Sequence, residues 1–179
     1  MLFRSIETVK AAKRAGANAI KLQTFTPDSI TLNSGKSDFL IKGTIWDNRT
    51  LYDLYSEAQT PYEWHPILFQ VAKDVGLEYF SSPFDAKAVE FLESLNVPAF
   101  KIASMEITDV PLIELVASKG KPVIISTGIA THEDIELAIS SCLKYKNNKI
   151  ILLKCTSSYP APIEEANLIM INEFAQKRS

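Results

Sequence analysis

Histidine and cysteine are scarce in this chain, with two of each in 179 residues. Cys142 and Cys155 are too few and too far apart for a disulfide framework or a zinc motif. Reduced thiols and a cytoplasmic setting are therefore expected. His65 and His132 fall in no His/Cys/Asp/Glu cluster with metal-ligand spacing, so no metal ligand is assigned. An excess of one charge is missing too. Nineteen Lys and Arg against twenty-one Asp and Glu give a net charge of -2. No basic field exists to attract nucleic acid or an anionic membrane. No apolar run approaches the ~20 residues of a membrane-spanning helix. The start, Met1-Leu2-Phe3-Arg4, carries no signal-peptide core, and no glycine-rich nucleotide loop occurs.

What is present is a repeated pattern. Five short apolar runs each end in lysine, hydroxyl or amide residues: Ala19–Thr24, Leu77–Ser82, Phe100–Ser104, Val123–Thr127 and Ile151–Thr156. Each is followed by a loop and a helix-like stretch. Ile6, Val9, Ala12 and Ala15 recur at helical spacing before the first run, and Gly16 stops that helix. Residues 27–49 read as a long, polar, turn-rich insertion without a strong period. Leu51–Ala58 reads as a helix. Thr60-Pro61-Tyr62-Glu63 has the form of a helix start, predicting a helix through Val75. Asp85, Asp109 and Thr131 predict three further N-caps, and residues 163–177 read as partly helical. The order is α, then about five βα repeats, with crossovers long enough for parallel pairing.

The fold expected is therefore α/β, a partial TIM (β/α)8 barrel of about five parallel strands with flanking helices, in a single domain over residues 1–179. A full barrel needs roughly 250 residues. Polar residues gathered at the C-terminal ends of parallel strands are how such a barrel builds an active site.

The candidate residues each have two readings. Lys21 and Lys101 sit in apolar strands, where an unpaired ammonium is costly. Either they point into a polar pocket and bind an anion, or their heads reach solvent. Lys154 favours the second reading. Ser81-Ser82-Pro83 and Ser126-Thr127-Gly128 can bind phosphate through hydroxyls and backbone N–H groups, or be turn chemistry. Glu106, close behind Lys101 and Ser104, is a catalytic or sugar-binding carboxylate or a loop ion pair. Tyr159 presents its phenol to a sugar or packs in a loop. Trp46, Tyr52, Tyr55 and Trp64 fit helix-face packing better than pocket lining.

Six segments in order give these residues a context: Ala15-Gly16-Ala17, Lys21-Leu22-Gln23-Thr24, Phe80-Ser81-Ser82-Pro83-Phe84, Lys101-Ile102-Ala103-Ser104, Ser126-Thr127-Gly128 and Cys155-Thr156-Ser157-Ser158-Tyr159-Pro160. Together they resemble the sialic acid synthase family of phosphoenolpyruvate-condensing enzymes. Segments of the insertion, such as Leu51-Tyr52-Asp53-Leu54-Tyr55 and Thr60-Pro61-Tyr62-Glu63-Trp64-His65, resemble the pseudaminate branch of that family.

The resemblance implies a reaction. The methylene carbon of phosphoenolpyruvate adds to the aldehyde of a 2,4-diacetamido-2,4,6-trideoxy sugar, water attacks the pyruvyl carbon, and phosphate leaves by C–O cleavage. It implies phosphoenolpyruvate binding by Lys21, Ser82, Lys101 and Ser104, with Ser126 a further polar position. Gln23, Glu106, Ser157 and Tyr159 would surround the sugar and the reacting centre, Glu106 and Tyr159 as catalytic groups. It also implies a divalent metal, Mn or Mg, and a homodimer. The family's first strand, its metal-binding histidines and its C-terminal antifreeze-like domain have no counterpart in these 179 residues. The chain alone is therefore expected to be inactive, with self-association through unpaired sheet edges. Alternative readings are an N-acetylneuraminate synthase-type activity, a non-catalytic protein binding an anion or sugar phosphate, and a phosphoenolpyruvate aldolase acting on a phosphorylated sugar.

Overall fold

A computed structural model describes residues 1–158 and 160–176. Five parallel strands with flanking helices are present, distributed over two compact units, Met1–Asn96 and Val97–Ser179.

The first unit opens with helix α1 (Leu2–Arg14) and strand β1 (Ala19–Thr24). Short helix α2 (Pro27–Ile30) and helix α3 (Leu51–Ala58) follow, then α4 (Trp64–Asp74), β2 (Glu78–Pro83) and α5 (Ala86–Ser94). β1 and β2 pair in parallel, with Lys21 opposite Phe80 and Gln23 opposite Ser82. Side chains alternate across a strand, so Ile20, Leu22 and Tyr79 share one face. That face packs on Val9 of α1 and Leu68 and Ala72 of α4. Lys21, Gln23 and Ser82 therefore share the opposite face.

Two expectations for this unit change. The insertion is not plain loop: it contains α2, a 3-10 turn at Ser37–Phe39, and a closure in which Ile41 N–H donates to Arg49 O at 2.9 Å. Left-handed Asn48 (φ 65°) turns the chain there. Helix α4 starts at Trp64 and not just after Thr60. The Pro61 carbonyl accepts from Trp64 N–H and from the His65 ring, which holds residues 61–63 as a turn and displaces the predicted cap.

The second unit contains β3 (Phe100–Ile102), α6 (Val110–Ser118), β4 (Val123–Ser126), α7 (His132–Lys144), β5 (Ile150–Leu153) and α8 (Met170–Gln176). The pairing is again parallel, with Phe100 opposite Val123 and Val123 opposite Ile150. Phe100, Ile102, Val123 and Ile125 share one face and are fully buried. Lys101 and Ser126 lie on the other.

The predicted caps form. Asp85 accepts from Ala88 N–H at 2.7 Å and Asp109 from Leu112 N–H at 3.0 Å. Thr131 and Asp134 complete a reciprocal capping box, and those bonds hold the Asp134 carboxyl below its ordinary range. Asp85→Ala is expected to cost about 1 kcal/mol, read as a lower urea midpoint with an unchanged slope.

Candidate active site

In the second unit the site begins with Lys101. It lies on β3, and the residue is 6% exposed. Its Nζ donates to Ser126 Oγ at 2.6 Å and to the Ile102 carbonyl. Ser126 ends β4 two positions beyond the register partner of Lys101, so both side chains leave the same face of the sheet. The Ser126 hydroxyl accepts from the ammonium and keeps its own proton for another acceptor. The Cys155 thiol, 3.4 Å away, is a second and weak donor to the same Ser126 oxygen.

The loops after β3, β4 and β5 add further groups. Gly128 N–H donates to Ser104 Oγ at 3.3 Å, which again leaves a hydroxyl proton to give. Ser157 stands against Gly128 in the left-handed region, with φ 52°. Thr127 is anchored to Leu153 O through both its N–H and its hydroxyl. An ammonium and hydroxyls already serving as acceptors form a donor-rich cluster, which suits an anion.

Glu106 ends the 3-10 turn at Ser104–Glu106. Its Oε2 is buried without a hydrogen-bond partner. Burial pushes its carboxyl pKa up, more than its backbone bond and the charge of Lys101 pull it down. A carboxyl in that state holds or delivers a proton closer to neutrality than an ordinary glutamate.

In the first unit, Lys21 and Gln23 are exposed on the face of β1 away from the helices, and Ser82 on the same face of β2 is 1% exposed. The protein packed about Lys21 lowers its ammonium pKa although the side chain remains in contact with water. Lys21 is thus not the deeply buried lysine that its apolar strand suggests. Of the two, Lys101 is the enclosed one.

Behind these strand ends lies a buried polar chain that sequence reasoning missed. Thr24 Oγ1 is 2.8 Å from His65 Nε2 and 2.7 Å from Ser81 Oγ. His65 Nδ1 is 3.2 Å from Pro61 O, which only accepts, so Nδ1 carries the proton and Nε2 accepts from Thr24. Burial lowers the His65 pKa and keeps the ring neutral. The signal in the sequence was slight: a histidine on the buried face of a helix, with a threonine just past a strand's apolar run.

The order of these elements and residues matches the NeuB family over residues 8–178. The chain belongs to the NeuB family. It is 53% identical over 170 residues to the pseudaminic acid synthase of Helicobacter pylori, covering 95% of this chain and 50% of that protein. It is 35% identical over 175 residues to the N,N'-diacetyllegionaminic acid synthase of Legionella pneumophila, covering 96% and 49%. The chain therefore spans about half the length of the curated relatives it matches. Among solved structures, the N-acetylneuraminic acid synthetase of Leptospira borgpetersenii, in complex with citrate, superposes with a TM-score of 0.85 at 30% identity, covering 98% of this chain and 56% of that one. The five strands and their helices are accordingly part of a TIM-barrel-type fold.

Within this NeuB chain the structure groups Lys101, Ser104, Glu106, Ser126 and Ser157 in the second unit and Lys21, Gln23 and Ser82 on one face in the first. Tyr159 lies outside the described residues. Among the described residues no three His, Cys, Asp or Glu side chains are placed to hold a metal ion. His65 is enclosed and committed, and His132 is exposed at the start of α7. The divalent metal implied by the family finds no donor set there, and no chemical step is derived through it. Among the same residues, no helix is long and apolar enough to cross a membrane. Lys154, half-buried, donates from its ammonium to the neighbouring Cys155 carbonyl at 2.8 Å and is not simply a head in solvent.

Proposed function

We propose that this chain carries the phosphoenolpyruvate-handling part of a pseudaminate-type nonulosonate synthase. The observation that carries the reading is the buried Lys101 ammonium held by Ser126 beside the Ser104 hydroxyl and the Gly128 N–H. A fixed cation with hydroxyl protons left to donate suits a phosphate or carboxylate and offsets charge as phosphate departs. Greater identity to the pseudaminate enzyme than to the legionaminate one favours a 2,4-diacetamido-2,4,6-trideoxy sugar of the pseudaminate type as co-substrate.

In the second unit Lys101, Ser104 and Ser126 bind the anion and Ser157 the sugar, and Glu106 moves a proton near the reacting centre; Tyr159, outside the described residues, is the other catalytic group of this reading. In the first unit Lys21 and Ser82 bind phosphoenolpyruvate and Gln23 binds the sugar. Carbon–carbon bond formation joins the methylene carbon of phosphoenolpyruvate to the aldehyde carbon. Water then adds at the pyruvyl carbon, and inorganic phosphate leaves. In the family's full-length proteins this reading includes a divalent metal and a homodimer. The 179 residues alone are expected to bind without turnover.

Calorimetric titration of the chain with phosphoenolpyruvate tests the proposal. Saturable binding, competed by inorganic phosphate and lost in Lys101→Ala, is expected. Failure to bind, or binding indifferent to Lys101, overturns it.

A further inference from the structure

The backbone N–H of Gly128 already belongs to the site, but its missing side chain has no role above, and it lies where loops from three strands meet. Its backbone is not left-handed, so conformation alone does not require glycine. Space does. A methyl built on its Cα would overlap Ser157 Oγ, lie 2.8 Å from Ser157 Cβ and 3.1 Å from Ser104 Oγ. Glycine is the one residue that lets a backbone approach side chains this closely.

We infer that Gly128 is a positioning residue of the anion site. It acts through Ser104 and Ser157, and the inference rests on the phosphoenolpyruvate reading. Its N–H fixes the acceptor side of Ser104, so that the Ser104 proton points to the ligand. Its missing side chain lets the loop after β5 close on the loop after β4, seating Ser157. The cost of that closure is visible at Ser157, a non-glycine residue at φ 52°. Any side chain at 128 displaces one hydroxyl or the other, while Lys101 and Ser126, held by their own bond, stay in place.

Calorimetry with phosphoenolpyruvate on the full chain and three variants provides the test. Gly128→Ala is expected to weaken binding about tenfold or more. In a Ser157→Gly background the same Gly128→Ala change is expected to cost less than about threefold. Removing the Ser157 side chain removes the overlap, and glycine suits the left-handed backbone. The same cost in both backgrounds overturns the inference, and a merely structural role would lower stability without changing affinity. If Gly128→Ala fails to fold by circular dichroism, the comparison of Ser157→Gly with the double variant decides: matched affinities support the coupling, and a tenfold gap overturns it. Absence of binding by the unsubstituted chain overturns the anion-site reading and this inference with it. Binding by the unsubstituted chain with Gly128→Ala unimpaired overturns this inference alone.

Discussion

Lys101→Met is expected to weaken phosphoenolpyruvate binding about thirtyfold or more while leaving the chain as stable as before, or more so. The two effects have opposite signs because, on the proposed function, the lysine serves the ligand and not the fold. An ammonium at 6% exposure has given up most of its hydration. Its bonds to Ser126 Oγ and the Ile102 carbonyl return part of that loss. Methionine has similar length, fills the same space on β3 and needs no hydrogen bond. Among the groups it leaves behind are the neutral Ser126 hydroxyl and the Ile102 carbonyl, and the raised pKa of Glu106 limits what is lost with the charge of Lys101. Replacing buried charge by well-packed apolar groups is often neutral or stabilising. Binding responds the other way. Losing a buried, hydrogen-bonded charge from an anion site costs roughly 2 kcal/mol or more, about thirtyfold in affinity. Urea unfolding and calorimetry on the same preparations check both halves. A large fall in stability with affinity retained would make Lys101 a structural residue.

The largest loss of stability is expected from His65→Ala, about 3–5 kcal/mol by analogy with other enclosed aromatic truncations. The ring has no exposed surface and packs against Phe69 and Phe91. Truncation also removes the acceptor of the Thr24 hydroxyl and the donor to Pro61 O. The same residue gives a pH signature. Burial sets the folded pKa of His65 below the unfolded value of about 6.5. As pH falls through about 6.5, the unfolded chain takes up a proton that the folded chain refuses, so stability drops on acidification. His65→Phe keeps the volume, loses the titration, and is expected to flatten that drop below about pH 6.5. Glu106 has the opposite sign. Its folded pKa lies above its unfolded value of about 4.3, so its contribution is lost as pH rises through that lower window. Urea midpoints at several pH values separate the two. An identical slope in the wild-type chain and His65→Phe would assign the pH dependence elsewhere.

Much of the fold was legible because the deciding forces are local. Helix α6 ends at Ser118 and α3 spans Leu51–Ala58 as their periodicity and caps predict. The strands fall on the five apolar runs, and their order α then βα leads to parallel pairing. The start of α4 was misread because Thr60-Pro61 has the form of a cap. A distant fact, the His65 ring bonding the Pro61 carbonyl, holds that stretch as a turn.

The candidate site divides the same way. Lysine, serine and glutamate at strand ends are sequence features, and with the family motifs they pointed to an anionic substrate. Which lysine is enclosed was not written in them: Lys21 and Lys101 sit in equally apolar strands. Burial depends on what covers each face of the sheet, a property of the packed chain. The His65–Thr24–Ser81 chain and the approach of Gly128 to Ser157 join residues 41, 57 and 29 positions apart, so no local pattern encodes them. The sequence by itself determined the elements, their order and the chemical types at the strand ends, because propensity, periodicity and capping act within a few residues. Only the tertiary structure decided which of those groups are buried, which way their protons point and where a side chain has no room, because those follow from contacts between distant segments.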